Sequence, residues 1–267
     1  MTAKETAALA TPPTGDTASI DWADWYERWE RQQDAYVAHR EARFAAMLDM
    51  LESLPANFTA IDLACGPGSI SRRVLARFPE ARIVAVDFDP VMLAMAQAAV
   101  PLSGGRLTVI EADLAGTDWA TRAGLGKVDA ALSTTAIHWL DAPNVLALYR
   151  TLAQIIRAGG VFMNGDHLHY LPAEAQLSAA AARARDAHSS RAFAQGVEDS
   201  DQWWAALGVE PAAAGLLAAR AREFAAKERP PYEPSFAVHR AALLDAGFSE
   251  VDTIWQHFEN RVLAAVR

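Results

Sequence analysis

Short apolar runs alternate with amphipathic stretches along most of the chain. The apolar runs predict strands at 58–63, 82–87, 106–111, 128–133 and 160–165. Apolar residues at helical spacing predict helices at 69–78, 90–99, 115–123 and 143–157. Gly159 and Gly160 follow the last of these helices, and we expect them to form its C-cap. Because strands that alternate with helices build parallel sheets covered on both faces, the pattern predicts an α/β fold.

The pattern changes after residue 165. An Ala-rich, strand-poor segment extends to about Pro234, and its composition predicts an inserted helical cap over 166–234. A helix over 235–246, which ends at Gly247, then precedes strand-like runs at 250–257 and 261–267. The three residues between these two runs are too few for a crossover connection, so the runs must form an antiparallel hairpin.

An aromatic stripe marks the helical segment predicted over 19–56. Its members fall at i, i+3, i+4, i+7 and i+14 and therefore share one helix face: Trp22, Trp25, Tyr26, Trp29 and Tyr36. Four charged residues fall on other faces, where we expect solvent: Glu27, Arg28, Glu30 and Arg31. The stripe either packs against the core or forms a lid over a binding site. Trp203 and Trp204, in the predicted cap, present the same two alternatives.

Composition restricts the kinds of partner. The chain has 267 residues, 52% hydrophobic and 21% charged, as is typical of a soluble enzyme, and residues 1–18 are predicted to be a disordered tail. A net charge of −9 without a dense basic run disfavours nucleic acid partners. No apolar stretch is long enough to span a bilayer and no secretion signal is evident, so we expect no membrane partner. The single cysteine, Cys65, cannot form an internal disulfide, which favours the cytoplasm.

A glycine-containing loop at residues 62–69 follows the first predicted strand and precedes a helix. Gly66 and Gly68 leave room for a ligand to approach backbone N–H groups, as in nucleotide-binding loops. A dinucleotide fingerprint needs a third glycine at position 71, where this chain has Ser71. Asp62, four residues before Gly66, suits a cationic ligand better than a pyrophosphate.

With Asp62, Gly66 and Gly68, the loop resembles the first motif of class I S-adenosylmethionine-dependent methyltransferases, which reads acidic-x-G-x-G-x-G. Ala64 stands where the first glycine is usual. The resemblance covers residues 57–165 by motif and 236–267 by topology. It implies S-adenosylmethionine as cofactor and a Rossmann-like, seven-stranded, mostly parallel sheet with an antiparallel last strand, helices on both faces and a core at 57–165 and 235–267. The loop's implied cofactor contacts are Asp62, Ala64, Cys65, Gly66 and Gly68.

The second motif lies at the end of the second predicted strand. Asp89 precedes Pro90, and proline is favoured at the first helical position, so Asp89 is interpreted as a helix N-cap. This leaves Asp87, about 20 residues beyond the glycine loop, to accept hydrogen bonds from the ribose hydroxyls of the cofactor. Phe88 and Met92 either form an apolar wall for the adenine or pack at the start of the helix.

Two further strand ends complete the cofactor site that the resemblance implies. Asp113, followed by Leu114, stands where the family places a carboxylate for the adenine amino group, although a helix N-cap is the alternative. Ser133 and Thr134 end the fourth predicted strand. The following segment contains His138 and lacks the Pro-Pro tetrapeptide of the family members that methylate nucleobases and protein amides. With nucleobases and protein amides disfavoured, a small molecule is the predicted acceptor of the methyl group.

Methyl transfer from a sulfonium needs mainly proximity, and a general base is optional. His138 and His167 are the first candidates for such a base and His169 is the next, with a structural role as the alternative for each. The pair His167 and His169 has no evident third ligand, so we expect no metal. The aromatic helix, the cap and the fourth strand end supply the predicted acceptor contacts: Trp25, Tyr26, Trp29, His138, Trp139, Trp203 and Trp204.

The sequence therefore predicts methyl transfer from S-adenosylmethionine to a small organic acceptor. The segment around His138 is similar to one found in trans-aconitate, malonyl-thioester and quinone-precursor methyltransferases. Two alternatives remain open, a catalytically silent S-adenosylmethionine-binding subunit and an NAD(P)-dependent oxidoreductase. The Ala-rich cap is a possible homodimer surface.

Overall fold

A seven-stranded sheet forms the centre of the computed structural model, which describes residues 19–225, 227, 230 and 233–267. The predicted tail at 1–18 lies outside the described residues. The strands are β1 (Thr59–Leu63), β2 (Arg82–Asp87), β3 (Leu107–Glu111), β4 (Val128–Thr134), β5 (Ile156–His167), β6 (Glu250–His257) and β7 (Asn260–Val266). Their positions agree with the runs predicted from the apolar pattern, except that β5 begins earlier.

The strand order is β3-β2-β1-β4-β5-β7-β6. Strands β1 to β5 pair in parallel, whereas β7 runs antiparallel to both β5 and β6. The prediction of a mostly parallel sheet with an antiparallel last strand is confirmed. The order reverses between β1 and β4, where Leu63 pairs with Ser133. In open α/β sheets, ligands bind at the carboxyl ends of the strands at such a reversal.

Helices cover both faces of the sheet. They are α1 (Trp22–Tyr36), α2 (Arg40–Leu51), α3 (Ser69–Arg77), α4 (Pro90–Ala98), α5 (Trp119–Arg122), α6 (Ala142–Ile155), α7 (Ala175–Ala194), α8 (Ser200–Gly208), α9 (Ala214–Ala225) and α10 (Phe236–Ala246). One apolar core joins the sheet to α2, α3 and α4, and a second joins its other face to α5, α6 and α10. None of the described helices combines the length and apolar character that a membrane span needs.

The two glycines predicted to cap α6 lie inside a strand instead. Helix α6 ends at Ile155, and β5 begins directly at Ile156. Gly159 has a φ of +78°, and a Cβ on Gly160 would lie 2.6 Å from the carbonyl oxygen of Asp129. The pairing of β4 with β5 shifts register at this point. The glycines therefore allow a bulge in which the two backbones approach closely, and the C-cap prediction was wrong.

The aromatic helix α1 packs between the cap and the core. Trp25 and Trp29 contact Trp203 of α8 edge to face, with ring centroids 5.2 and 5.3 Å apart. Met92 and Met95 of α4 belong to the same buried cluster. Helices α8 and α9 thus share a small core with α1 and α4.

Candidate active site

The glycine loop makes a tight turn beyond β1. Ala64, Gly66 and Gly68 all have positive φ, at 49°, 54° and 84°. The N–H of Cys65 donates to the carbonyl of Val86 in β2 at 2.9 Å, which ties the turn to the neighbouring strand. A Cβ on Gly66 would meet no atom within 4 Å, so the backbone conformation rather than crowding favours glycine there.

Asp87, the predicted ribose ligand, also organises the loop. One carboxylate oxygen accepts the N–H of Gly66 at 2.8 Å, and the other accepts the N–H groups of Phe88 and Asp89 at 2.7 and 2.9 Å. Asp87 therefore has a structural role that the sequence analysis did not assign to it. Burial raises the pKa of Asp87 to about 6, although these N–H donors act in the opposite direction.

Asp62 lies beneath the loop with half of its carboxyl group unsatisfied. Ser71 donates its hydroxyl to one oxygen at 2.6 Å, which gives a reason for serine at the position of the third glycine. The other oxygen is buried and has no partner among the described residues. Burial, with a smaller contribution from the charge of Asp87, raises the pKa of Asp62 to about 7. A cationic amino group is the kind of donor that such an oxygen lacks, so this end of the loop fits the amino acid part of the implied cofactor.

We expect the affinity for S-adenosylmethionine to rise about tenfold between pH 6 and pH 8. Asp62 has a pKa of about 7 in the ligand-free protein, and a bound cation favours its ionised form, so tighter binding accompanies loss of its proton. Isothermal titration at several pH values measures this directly. Asp62→Asn should bind more weakly and with a smaller pH dependence, since Asp87 alone then titrates near pH 6. An unchanged wild-type affinity across this range would contradict the expectation.

The predicted adenine side of the site lies under the last cap helix. Asp113 accepts the N–H of Ala115 at 3.0 Å and pairs with Lys227 at 2.5 Å. It is not the N-cap of α5, which begins at Trp119. Phe88 lies between Lys227, 4.5 Å from its ring centre, and Phe224, 5.0 Å from it. The cap therefore covers the groups predicted to contact adenine.

The remaining predicted cofactor residues border this region. Asp89 is the N-cap of α4, as predicted, because its side chain accepts the N–H groups of Val91 and Met92. Met92 packs in the cluster shared by α1 and the cap. Leu114 is buried in the core, and the Ser133 hydroxyl donates to the Leu63 carbonyl at 3.1 Å. Thr134 is the last residue of β4.

His138 and Asp166 form a close pair at the ends of β4 and β5. The Nδ1 atom of His138 lies 2.8 Å from Asp166 Oδ1, and the backbone N–H of His138 donates to Asp166 Oδ2. Asp166 is buried, yet its pKa falls to about 2: burial would raise it, and the charge and hydrogen bond of His138 and the N–H of His167 outweigh burial. The His138 imidazole is thus oriented by a permanently ionised carboxylate.

A buried arginine adds positive charge behind this pair. Arg43 of α2 donates to the hydroxyl of Thr135 at 2.6 Å and to Asn260 Oδ1 at 3.2 Å. Burial lowers its pKa to about 10, and the charge of Asp166 opposes this, so the guanidinium stays charged at neutral pH. Thr135 itself has a φ of +57°. Arg43 therefore holds the strained residue at which the chain leaves β4.

The two other candidate histidines lie on either side of the end of β5, since His167 is its last residue and His169 follows it. His167 lines a small, partly open surface pocket between the α1–α2 corner, α7 and the β6–β7 turn. Burial lowers its pKa to about 4, with the charges of Arg43 and Arg185 adding to the effect, so it is neutral at neutral pH. His169 instead bridges Glu233 and Glu259, at 2.9 and 3.1 Å, and connects the cap to the hairpin.

The predicted acceptor residues fall into two groups. Trp25, Tyr26 and Trp203 are buried in packing contacts, and the Arg72 guanidinium lies 3.5 Å above the Tyr26 ring. Trp139 follows His138 and is 53% exposed. The structure therefore brings His138, Trp139 and His167 to the strand ends. Trp29 and Trp204 pack with Trp203 in the core that α1 shares with α8.

Glu30 was predicted to face solvent, but it is buried against the glycine loop. Arg40 binds both of its oxygens, at 2.8 and 3.0 Å, Arg73 contacts it at 2.7 Å, and Ser69 donates its hydroxyl at 2.5 Å. Burial would raise the pKa of Glu30, but the hydrogen bond and charge of Arg40 and the charge of Arg73 lower it to about 2. The helical pattern could not reveal this because the partners come from α2 and α3. Glu27 and Arg31 are exposed, as expected.

Glu30→Gln should lower the free energy of unfolding by about 2 kcal/mol, because the two arginines would keep their charges without the central carboxylate. For a chain of this size, that corresponds to a fall of about 4 to 8 °C in the melting temperature. The difference should vanish as the pH falls from about 4.5 towards 2, where Glu30 itself becomes protonated. Glu27→Gln, on the exposed face of the same helix, is the control and should change little. Equal melting temperatures for the two variants at pH 7 would contradict this role of Glu30.

Residues 60–160 match the family model described as a methyltransferase domain. Among curated relatives, the trans-aconitate 2-methyltransferase of Azoarcus sp. is 33% identical over 128 residues, 47% of this chain and 46% of the relative. That of Methylobacterium radiotolerans is 30% identical over 186 residues, 68% of this chain and 60% of the relative. The alignments thus span between about half and three fifths of these two relatives.

Solved structures share the fold at lower identity. The magnesium protoporphyrin IX methyltransferase of Synechocystis, with bound S-adenosylhomocysteine, superposes with a TM-score of 0.54 at 17% identity, covering 92% of this chain and 95% of that one. An O-methyltransferase family protein from Burkholderia thailandensis gives a TM-score of 0.52 at 18% identity, covering 92% of this chain and 69% of that one. The similarity thus extends over 92% of this chain in both cases.

Proposed function

We propose that this protein, in which residues 60–160 form a class I S-adenosylmethionine-dependent methyltransferase domain, transfers a methyl group to a small organic acceptor bearing a carboxylate. The product is then a methyl ester. The observation that carries the proposal is the pair of His138 with the buried Asp166, backed by the buried Arg43. The relatives named for trans-aconitate, an organic acid, support the acceptor class.

The chain's own residues fit S-adenosylmethionine, which supplies a methyl group already activated by its sulfonium. The unpartnered oxygen of Asp62 and the positive-φ turn at Gly66 suit its amino acid part. Asp87 stands at the end of β2 for the ribose, and Phe88 and Asp113 border the space for the base. Some of these groups are engaged with the cap, so we expect Lys227 to release Asp113 when the adenine binds.

His138 orients the acceptor. A carboxylate already carries the lone pair that attacks a methyl group, so it needs no general base at neutral pH. A protonated His138, paired with the carboxylate of Asp166, can donate a hydrogen bond to one oxygen of the acceptor and leave the other to react. Arg43 adds a second positive charge nearby, while the neutral His167 contributes polarity without charge.

The two alternative functions lack this support. A silent cofactor-binding subunit would have no need of the pair that His138 forms with the buried Asp166. Ser71 binds Asp62 where a dinucleotide-binding loop would pack its third glycine. We further propose a cytoplasmic protein, because its single cysteine cannot form an internal disulfide, without nucleic acid partners, because the net charge is −9. The Ala-rich segment at 166–234 is the surface that we propose for a homodimer.

Thermal unfolding with each cofactor tests the first half of the proposal. S-Adenosylmethionine or S-adenosylhomocysteine at about 100 times the dissociation constant should add roughly 2.7 kcal/mol, or about 5 to 10 °C, and NAD(P)H should add nothing. Transfer of a labelled methyl group to organic acids, compared with the matching amides and alcohols, tests the second half. A base-labile ester formed only from the acids is the expected result, and transfer only to amides or alcohols would overturn the acceptor class.

A further inference from the structure

We infer that cap helix α9 is a gate over the adenine side of the cofactor site, and that Lys227 holds it closed by occupying Asp113. The Oδ2 atom of Asp113 lies 2.5 Å from Lys227 Nζ, and its Oδ1 atom accepts the N–H of Ala115. Both oxygens are thus in use within the protein, so the amino group of the adenine competes with Lys227 for this carboxylate. The inference rests on the proposed function and deepens it, because it assigns the cap a role in cofactor entry.

The ring of Phe88, which borders the proposed space for the base, is covered by the same part of the cap. The centre of the Phe224 ring of α9 lies 5.0 Å from the centre of the Phe88 ring, and Lys227 Nζ lies 4.5 Å from it. Aromatic rings pack with their centres about 4.5 to 7 Å apart, so Phe224 already occupies a position from which a base would contact Phe88. Binding of the adenine therefore requires that both Phe224 and Lys227 move.

A second ion pair keeps α9 attached while Lys227 moves. Arg220 Nε donates to Asp89 Oδ2 at 2.7 Å, and its guanidinium packs 3.9 Å from the centre of the Trp204 ring. The Asp89 side chain is 7% exposed, whereas those of Lys227 and Asp113 are 31% and 39% exposed. Because water and salt screen an exposed pair more than a shielded one, the Lys227 pair breaks first and the Arg220 pair remains as the anchor.

The remaining contacts of α9 are weak enough for such a movement. No residue of this helix is buried, and its apolar side chains Leu216 and Leu217 pack only partly against the core shared with α1. Segments with few buried contacts open at a low cost in free energy. The pair of Lys227 with Asp113 is thus a contact that a bound cofactor can replace.

The test compares Lys227→Gln with Arg222→Gln, which removes the same charge from an exposed position of α9. The probe for titration calorimetry is 5′-methylthioadenosine, which carries the adenosine part of the cofactor without a net charge. We expect Lys227→Gln to bind it about 2- to 5-fold more tightly than wild type, because the competing ammonium is gone. Raising the salt concentration about tenfold should tighten wild-type binding by about twofold and leave Lys227→Gln unchanged. Arg222→Gln should behave as wild type.

Hydrogen exchange measures the movement of α9 itself. S-Adenosylhomocysteine should increase deuterium uptake across residues 214–225 in wild type, because release of Lys227 loosens the helix. In Lys227→Gln the uptake should already be high before the ligand is added.

Three outcomes would overturn the gate. Weaker binding of 5′-methylthioadenosine by Lys227→Gln than by wild type would show that Lys227 holds the adenosine in place. Equal affinities of the two proteins, including the case in which neither binds the probe, would show that no competition exists. Lower deuterium uptake of α9 in the S-adenosylhomocysteine complex would show that the helix closes on the cofactor. Failure of the proposed function is recognised separately, as cofactor binding that depends on Lys227 without methyl transfer to any acid.

Discussion

Replacing Asp87 by alanine is expected to weaken S-adenosylmethionine binding by about 100-fold or more. Asp87 accepts three backbone N–H groups that shape the glycine loop and the start of α4, and it stands at the end of β2 for the ribose. Hydrogen bonds to a charged acceptor contribute about 1.5 to 3 kcal/mol each, so losing two of them to the cofactor exceeds a factor of 100. Titration calorimetry with S-adenosylmethionine measures the change.

Glu111→Ala is the matched control for Asp87→Ala. Glu111 pairs with Asp87 at the end of the neighbouring strand β3, and its side chain is exposed. Its removal should leave cofactor affinity within about twofold. Similar affinities for Asp87→Ala and wild type would show that this strand end does not bind the cofactor, and the assignment of the whole adenosine region would then be wrong.

Asp166→Asn should lower kcat/KM for the acceptor by about 100-fold while leaving cofactor binding unchanged. The amide has nearly the same volume as the carboxylate but no charge, so His138 loses its ionic partner and its fixed orientation. Asp129→Asn is the control, since that carboxylate pairs with Arg157 at the opposite end of the sheet. Steady-state kinetics with saturating S-adenosylmethionine provide the values, and a loss shared by both variants would contradict a positioning role.

The pH profile separates the two possible roles of His138. If a protonated His138 binds the carboxylate, KM rises with increasing pH as the imidazolium is lost, while kcat stays level. A general base would instead make kcat increase with pH. That result would shift the proposal from acids to hydroxyl acceptors.

The sheet and the loop were predictable because their signals are local. Apolar runs of strand length and the Gly66–Gly68 turn identify β1 and its ligand loop from a few adjacent residues. Asp89 and Pro90 likewise specify the start of α4 within two positions. The antiparallel β7 followed from a link too short for any other connection.

The residues that sequence reasoning missed have distant partners. Asp166 pairs with His138, which lies 28 residues away in the sequence. Arg43 donates hydrogen bonds to Thr135 and Asn260, which lie 92 and 217 residues away. Arg43 and Glu30 are charged residues on helices, which a helical pattern assigns to solvent unless their partners are known. Asp166 carried one usable signal, its position directly after a predicted strand, where open α/β sheets place binding residues. The bulge at Gly159 and Gly160 could not be predicted without knowing the pairing register of β4 with β5.

Left-handed backbone at residues other than glycine is concentrated around the site. Ala64 lies in the glycine loop and Thr135 follows β4, with φ of 49° and 57°. Phe258 lines the pocket beside His167 with a φ of 51°, and His39, with a φ of 60°, is the N-cap of α2. Each such conformation costs on the order of 1 kcal/mol. These backbone conformations therefore lower the free energy of unfolding in the part of the fold that surrounds the proposed site. Substitutions that relieve the strain at these four positions should therefore raise the melting temperature in laboratory evolution. The same substitutions are the ones that we expect to lower kcat.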